Sequence, residues 1–323
     1  MNFRYEIIGL ERINFEDIRF KITSRAVSES QLTSIKEAGL VNPPVLLEGS
    51  GFYHIVSGFN RIDACRQLGM AEIPVRILDA GTDRLHCIQI AIVDNASQRS
   101  MDLIEQARSV ELLASCYGET EQLVDAAKSL GIAINAEIAG KLRVLIKMNE
   151  VLQSGVADGA IALPVALQLQ EMNDEGSCKV LAAFLVELGL SLNRQREILD
   201  WVTSICRRDK LTPAQLLSSG NIQIIRQDGN IDRRQKGRFI RDELRKRRYP
   251  AITRHEQHFT RLAQRLNLPK GVQLNAPQHF ESPVYELKFN FQNRRQLLKR
   301  AQELQRLAES EKLDGLWENF MAD

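Results

Sequence analysis

The sequence predicts an α+β multidomain protein with an N-terminal α/β domain, a central all-α helix-turn-helix domain and a small C-terminal α/β segment. Three observations support this fold class. Short apolar runs alternate with helical patterns over residues 1–100, apolar residues recur at helical spacing over residues 101–206, and strand-like alternation returns near the C-terminus. The 323 residues leave room for two or three domains of about 100–200 residues each.

The N-terminal domain, residues 1–100, is predicted from alternating strands and helices. The first helix is expected at residues 30–39, because Ser28 or Ser30 can cap its start and Gly39 favours its end. Two prolines open the strand that follows, where a strand tolerates them. The predicted strands cover residues 5–8, 43–47, 52–56 and 73–78, and the second helix covers residues 58–68.

The most informative segment joins the strand at residues 52–56 to the helix at residues 58–68. Gly58 interrupts the apolar run, and Arg61 falls in the first turn of the helix. Free backbone N–H groups and the positive end of the helix dipole lie at the same place, so the segment predicts an anion site. An ordinary strand-to-helix connection with a surface arginine fits the same residues.

The central domain, residues 101–206, is predicted to be helical, beginning with helices at residues 103–117, 121–130 and 135–147. The second and third have the sequence form of a helix-turn-helix at about residues 120–147. Its predicted DNA contacts are Asn135, Lys141, Arg143 and Lys147. The small residues Ala136, Ala139 and Gly140 of the second of these helices offer few hydrogen bonds to base edges. A plain helical hairpin fits the periodicity equally well.

Charge is distributed unevenly along the chain. The balance is −8 over residues 1–206 and +10 over residues 207–323. Residues 207–250 form a basic stretch or linker, in which residues 233–248 contain 9 basic and 2 acidic side chains. Such a density predicts salt-sensitive contacts with DNA phosphates, although a solvated helix face would have the same composition. The predicted contacts are Arg233, Arg234, Lys236, Arg238, Arg241, Arg245, Lys246, Arg247 and Arg248.

The C-terminal α/β domain, residues 251–323, contains two strand-like runs and a helix at residues 294–307. Tyr285, Leu287, Phe289 and Phe291 share one face of the second run, as in a half-buried strand. So few elements cannot bury themselves alone. We therefore expect this domain to pack on the rest of the chain or on a second copy in a homodimer.

Composition excludes several classes of protein. The sequence has no apolar run long enough to span a membrane and no signal peptide, so a cytoplasmic, nucleoid-associated protein is expected. Five scattered cysteines without a Cys-x-x-Cys motif predict reduced core residues and not a zinc site. The five histidines share no metal-ligand spacing, so no metal ligands are predicted among the side chains.

Three segments, taken in order, resemble the ParB/RepB family of partition proteins. Residues 35–45 look like the family's helix followed by Pro-Val, and residues 58–64 look like its Gly-Glu-Arg-Arg-x-Arg-Ala box. Residues 94–99, with the helix that starts at Leu103, look like its Glu-Asn-x-x-Arg box. The helix-turn-helix follows at the expected distance. The resemblance covers about the first 170 residues and implies a ParB-like N-terminal domain.

In this family the two boxes hold CTP and its metal, so the resemblance implies CTP with Mg²⁺ as cofactor. Carried over by position, the implied nucleotide contacts are Gly58, Asn60, Arg61, Asn95, Gln98 and Arg99, with Asp94 as the candidate catalytic carboxylate. Phe59 replaces the family's glutamate, and Asn60 and Asp63 replace two arginines. Fewer cations weaken phosphate binding, so nucleotide binding is expected while the protein is at most a weak CTPase.

The N-terminal fold also resembles sulfiredoxin, whose nucleotide box carries a nucleophilic cysteine two residues before the arginine. Phe59 occupies that position in this sequence, and Cys65 lies on the apolar face of the helix. A thiol reaction is therefore not expected here. The sequence also lacks the convincing cluster of carboxylates and histidines that a nuclease would need.

The sequence therefore predicts a ParB-like DNA-binding protein of plasmid or chromosome partition, or of mobile-element regulation. Its implied partners are double-stranded DNA, a second copy of the chain and a partition ATPase. One alternative is a nucleotide-dependent phosphotransferase, hydrolase or nuclease on the same scaffold, in which Asp94 and Arg61 would carry the chemistry. Another is a non-catalytic adaptor that retains the fold alone.

Overall fold

The computed structural model describes residues 3–97, 99–172, 174–309 and 311–316. The chain divides into two compact units after Glu197. This point lies within helix α10, Leu192–Asp209, a few residues before the predicted boundary at residue 206. The first unit contains both a sheet domain and a set of helices, and each unit is described separately below.

A five-stranded mixed sheet forms the centre of the N-terminal domain. Its strand order is β1-β5-β3-β4-β2, in which β1 and β4 run antiparallel to their neighbours β5 and β3, and the β3–β5 and β2–β4 pairs are parallel. The strands are β1 Arg4–Gly9, β2 Ile13–Asn14, β3 Val45–Glu48, β4 Tyr53–Ser57 and β5 Glu72–Leu78. Four of them coincide with the predicted strands to within one or two residues. The sheet confirms the mixed α/β fold class.

Three helices complete this domain. They are α1 Glu29–Ala38, α2 Phe59–Gln67 and α3 Arg84–Ala96. Ser28 caps α1 by accepting a hydrogen bond from the backbone N–H of Gln31, so the earlier of the two predicted caps is used. The pair α1 and α2 packs together over a buried core that includes Ile62 and Ile73. Sequence patterning did not predict α3, which packs against β4 and carries part of the candidate site at its C-terminus.

The remaining helices of the first unit follow the predicted periodicity. They are α4 Leu103–Ala114, α5 Thr120–Ser129, α6 Ala136–Leu145, α7 Glu150–Ala157, α8 Leu163–Gln170 and α9 Glu175–Leu188. Helix α4 packs against α5, α6 and α7, and it buries Val110 and Leu113. The two helices of the predicted helix-turn-helix are α5 and α6. Helix α5 begins and ends one residue earlier than predicted, and α6 is shorter than predicted by one residue at its start and two at its end.

The second unit is helical at first and ends in a two-stranded sheet. After α10 its elements are α11 Pro213–Leu217, α12 Gly220–Gln227, α13 Arg233–Arg248, α14 Pro250–Arg265, β6 Val272–Asn275, β7 Glu286–Phe289 and α15 Arg294–Ala308. The prediction of a linker over residues 207–250 differs from this structure, because three helices form there. Ile222, Ile240 and Leu244 are fully buried, and their burial holds α12 and α13 together.

The C-terminal part of the second unit buries little apolar surface. Strands β6 and β7 pair antiparallel, with Leu274 opposite Leu287. Helices α14 and α15 bury none of their residues fully. Val284, Leu287, Phe291 and Leu298 remain exposed. None of the helices that the described residues form could cross a membrane, since each is too short or too polar.

The cysteines differ sharply in accessibility. Cys116 is exposed, whereas Cys65, Cys87, Cys178 and Cys206 are buried. Burial raises the pKa of each of the four buried thiols, which lowers their thiolate fraction. We therefore expect native protein at neutral pH to take up one equivalent of a maleimide rapidly, and a Cys116→Ser variant to take up almost none. Rapid modification of a second cysteine, read by intact mass, would contradict this burial.

Candidate functional site

The loop between β4 and α2 requires a glycine. Gly58 precedes α2 with φ +93°, in the left-handed region that other residues avoid. A Cβ atom at this position would also lie 2.7 Å from the Cβ atom of Pro44. The turn therefore directs the first turn of α2, with its free N–H groups, toward the space beside Arg61. The strand, glycine turn and helix that the segment predicted are therefore present, and the binding of an anion there stays a prediction.

A small cavity of about 90 Å³ lies at this turn. It brings together five of the six residues to which the sequence assigned nucleotide contacts, although they come from two separate parts of the chain. Those five are Gly58, Asn60, Arg61, Asn95 and Arg99, and the cavity is completed by Thr23, Gln31 and Phe59. The sixth, Gln98, lies outside the described residues. Their proximity makes the cavity a candidate anion site, and their contacts with a ligand stay a prediction.

Asp94 lies deep in the same region, at the end of α3. One of its carboxylate oxygens accepts hydrogen bonds from Arg61 and from the Ser57 hydroxyl. The other lies 3.4 Å from the side-chain amide nitrogen of Asn42 and 3.8 Å from the guanidinium of Arg76. The side chains of Arg61 and Asp94 are only 11% and 12% exposed. Asp94 is therefore held as an ion-pair partner in this structure.

Arg99 is positioned by a second buried acid. Its guanidinium donates two hydrogen bonds, of 2.7 and 2.6 Å, to the two carboxylate oxygens of Glu105. Glu105 is fully buried and completes the capping box of α4, since it also accepts from the backbone N–H of Asp102 at 3.1 Å. The hydrogen bonds that Arg99 donates to Glu105 raise the pKa of Arg99 above its ordinary value. Arg99 thus stays charged and fixed beside the cavity.

Two further polar contacts shape the cavity. Asn60 donates a 3.1 Å hydrogen bond to the backbone carbonyl of Arg25, and Thr23 donates a 3.3 Å hydrogen bond to the side-chain oxygen of Asn95. Sequence reasoning did not identify Ser57, Arg76 or Glu105. The fully buried Glu105 carried one available signal, because it stands three residues after Asp102 in the pattern of a capping box. No local pattern indicates Arg76, which reaches the site from the middle of β5.

A larger cavity of about 750 Å³ adjoins the first and shares Thr23 and Asn60 with it. Its volume falls in the range of small-molecule sites, about 300–1,000 Å³. Among the charged residues of its lining, basic side chains outnumber acidic ones, and the acidic ones are Glu111 and Asp63. The basic residues are Arg19, Lys21, Arg25, Arg84 and Arg108.

The predicted DNA contacts of the helix-turn-helix lie on or beside α6. The side chain of Asn135 caps α6 by accepting a 2.8 Å hydrogen bond from the N–H of Ile138. Lys141 pairs with Glu137 on the same helix, and Arg143 donates a 2.9 Å hydrogen bond to Glu111 of α4. Lys147 is exposed just beyond the helix. Three of the four predicted contacts therefore have intramolecular partners already.

The nine basic residues of α13 fall into two groups. Five are half-buried and have structural partners: Lys236, Arg241, Arg245, Arg247 and Arg248. Among these, Arg245 forms two hydrogen bonds of 2.9 and 2.7 Å with Glu256 of α14. The other four side chains are exposed and are Arg233, Arg234, Arg238 and Lys246. The helix therefore uses one part of its charge for folding and presents the other part to solvent.

The residues at the cavity do not form a metal site as they stand. Among the residues that the structure describes, no group of three His, Cys, Asp or Glu side chains could hold a metal ion. Mg²⁺ bound through substrate phosphates still requires one or two carboxylates with available oxygens. Asp94, the acid that the sequence offers, has one oxygen bonded to Arg61 and Ser57. The donor set therefore does not fit Mg²⁺ in this arrangement.

Comparison with known proteins agrees with the resemblance. Residues 6–96 match the ParB N-terminal domain family. The chain is 26% identical over 200 residues to the probable chromosome-partitioning protein ParB of Chlamydia muridarum, covering 58% of this chain and 69% of that protein. It is 24% identical over 218 residues to the chromosome-partitioning protein ParB of Caulobacter vibrioides, covering 64% of this chain and 69% of that protein.

One solved structure with similarity to the chain is the C-terminally truncated ParB of Caulobacter crescentus complexed with CTP-gamma-S. The TM-score is 0.25 and the sequence identity is 20%, with 57% of this chain and 99% of that chain covered. The family match covers the N-terminal domain, and the similarity to the two relatives extends beyond it along the chain.

Proposed function

We propose that the chain is a DNA-binding partition protein of the ParB family whose N-terminal domain binds CTP, since residues 6–96 match the ParB N-terminal domain and two chromosome-partitioning ParB proteins are similar to it. The observation that supports nucleotide binding best is the single cavity bordered by Gly58, Asn60, Arg61, Asn95 and Arg99. Plasmid or chromosome partition is the role that its relatives' names suggest, with mobile-element regulation as a variant of the same DNA-binding activity.

In this proposal the two adjoining cavities divide the nucleotide between them. The cavity of about 90 Å³ is too small for a nucleotide but lies at the α2 N-terminus between Arg61 and Arg99, which suits phosphate oxygens. The base and sugar would then occupy the larger basic cavity of about 750 Å³. Thr23 and Asn60, which border both cavities, would lie between the two parts of the ligand.

We infer that CTP turnover is slow or absent. A phosphoryl-transfer enzyme needs an oriented base and cations around the transferring phosphate. Asp94 is bonded to Arg61 and Ser57, and the sequence has Phe59 and Asn60 where the family has a glutamate and an arginine. The alternative of a phosphotransferase or hydrolase therefore has less support than a nucleotide-binding switch.

DNA binding is assigned to α6 and to the exposed cations of α13. Helix α6 is the second helix of the helix-turn-helix and would enter the major groove, where Lys147 and the N-terminal turn lie near the DNA. The exposed side chains of α13 would contact phosphates independently of base sequence. The two elements would thus supply site recognition and general affinity, respectively.

We further infer a homodimer formed through the C-terminal part of the second unit, and a partition ATPase as a second protein partner. The exposed apolar side chains of Val284, Leu287, Phe291 and Leu298 are the surface that a second copy would cover. Sedimentation at micromolar concentration should give the mass of a dimer, and a monomer would remove this part of the proposal.

Calorimetric titration with CTP and ATP, with and without double-stranded DNA, tests the nucleotide assignment. We expect CTP to bind more tightly than ATP, with little phosphate release. An Arg61→Ala variant should bind CTP at least about tenfold more weakly, since a charge-assisted hydrogen bond contributes about 1.5–3 kcal/mol.

Arg66→Ala provides the matched control. Arg66 lies on the same helix, is exposed and pairs with Asp63 at 3.2 Å, so its removal should leave CTP affinity unchanged. If wild-type protein binds no CTP in either condition, or if both variants lose affinity equally, the assignment is wrong. Rapid phosphate release that Asp94→Ala abolishes would instead favour the enzyme.

A further inference from the structure

Asp94 occupies a position equipped for an anion. Its two carboxylate oxygens face four donor groups from four parts of the chain, two of them cationic: Arg61 of α2 and Arg76 of β5. The neutral donors are Ser57 and Asn42, the latter at 3.4 Å. The side chain of Arg76 is 20% exposed, so the group is shielded from water. Without Asp94 this group would carry two positive charges around one small space.

The two arginines are themselves held in place by other contacts. Arg61 donates a 2.7 Å hydrogen bond to the backbone carbonyl of Asn42. Arg76 donates 3.1 Å and 3.2 Å hydrogen bonds to the carbonyl of Pro43 and to the side-chain oxygen of Asn42. These contacts do not involve Asp94. Both guanidinium groups would therefore keep their direction if the Asp94 carboxylate moved away.

A phosphate group uses the same donors as a carboxylate. Both anions accept paired N–H bonds from guanidinium groups, and a phosphate brings more charge and more acceptor oxygens. Arg61 also borders the cavity of about 90 Å³, so an anion there would reach the same guanidinium that Asp94 holds. The two anions would compete for Arg61.

We propose that Asp94 is an internal competitor for phosphate, and that an incoming phosphate group displaces it to bind between Arg61 and Arg76. Arg76 is then a second phosphate-binding cation, supplied by β5, which offsets the arginine that Asn60 replaces in the α2 box. Asp94 is the third residue from the C-terminal end of α3 and is followed there by Asn95 and Ala96. Displacement of the Asp94 side chain would therefore link phosphate binding to the position of the segment that joins α3 to α4. This inference rests on the proposed nucleotide site and names its regulation.

Isothermal titration with inorganic tripolyphosphate, which lacks base and sugar, tests this proposal in the full chain. Asp94→Asn keeps the shape of the side chain but removes its charge. We expect it to bind tripolyphosphate about tenfold or more tightly than wild type, as the loss of a competing charged partner implies. Arg76→Gln should weaken binding by about the same factor, and Arg76→Lys should restore part of the affinity because it restores the charge.

The matched control is Asp125→Asn, which neutralises an exposed carboxylate on α5 that borders neither cavity. It should change tripolyphosphate affinity much less than Asp94→Asn does. Equal or weaker binding by Asp94→Asn, measured with and without Mg²⁺, would overturn the proposal. If that variant does not fold, as judged by circular dichroism, Arg76→Gln decides the matter, and unchanged affinity in it overturns the proposal.

Parallel titrations with CTP separate the two hypotheses. If Asp94→Asn gains affinity for tripolyphosphate but neither protein binds CTP, the competitor role stands and the nucleotide assignment fails. If wild type binds CTP and Asp94→Asn shows no gain with either ligand, the nucleotide assignment stands and the competitor role fails.

Discussion

Replacing Glu105 with alanine is expected to lower the free energy of unfolding of the first unit by about 2–4 kcal/mol, because hydrogen bonds to a charged acceptor contribute about 1.5–3 kcal/mol and the 45% exposed Arg99 can be solvated afterwards. The fully buried carboxylate accepts two hydrogen bonds from Arg99. It also accepts from the backbone N–H groups of Asp102, at 3.1 Å, and Ser24, at 3.3 Å, and these would lose their partner. Urea unfolding followed by far-UV circular dichroism measures the loss.

Glu175→Ala is the matched control for this prediction. Glu175 also lies in the first turn of a helix, α9, and pairs with Lys179 at 2.7 Å, but its side chain is 74% exposed. Exposed ion pairs contribute roughly 0–1 kcal/mol, so this variant should unfold almost as wild type does. A Glu105→Ala protein with wild-type stability would show that the carboxylate is not important for the packing of α4. The same variant should also bind CTP more weakly, because Arg99 would lose its fixed position.

Neutralising three exposed cations of α13 should produce the largest effect on DNA binding. Arg234, Arg238 and Lys246 are exposed, although Lys246 lies 3.8 Å from Glu243 and the guanidinium of Arg238 lies over the Phe239 ring. Replacing all three with glutamine should reduce the dependence of log affinity on log salt by up to about 2.7, since each phosphate contact contributes about 0.9. At about 0.1 M salt we expect affinity for random-sequence duplex DNA to fall on the order of 10- to 1,000-fold.

The control for this variant removes the same charge elsewhere. Lys36, Arg194 and Arg196 are exposed on α1 and on the first turns of α10. Their replacement with glutamine should leave the salt dependence close to that of wild type. Fluorescence anisotropy with a labelled duplex, titrated at several salt concentrations, gives both slopes. If the two triple variants behave alike, net charge alone explains the binding and α13 has no special role.

The sequence predicted most elements because their signals are local. Period-two and helical spacing of apolar residues, with caps such as Ser28 and Asn135, predicted strands and helices at nearly their observed positions. Helix α3 was missed even though Asp83 caps it, because its apolar residues form an almost continuous run that gives no clear period. The basic stretch was placed correctly but described as a linker, because its few buried residues, such as Ile240, are surrounded by charge.

Part of the candidate site follows from local patterns in the sequence, and the rest depends on contacts between residues distant in the chain. Local patterns in the sequence predicted the resemblance to a family, the turn at Gly58 and a shared site for Arg61, Asn95 and Arg99, which border one cavity in the structure. The sequence could not reveal that Arg76 reaches the site or that the carboxylate of Asp94 faces two arginines. Such contacts depend on the order of strands in the sheet and on the docking of α3 against β4, which bring together residues distant in the chain. The contacts of the Asp94 carboxylate with Arg61 and Arg76 are a consequence of that packing.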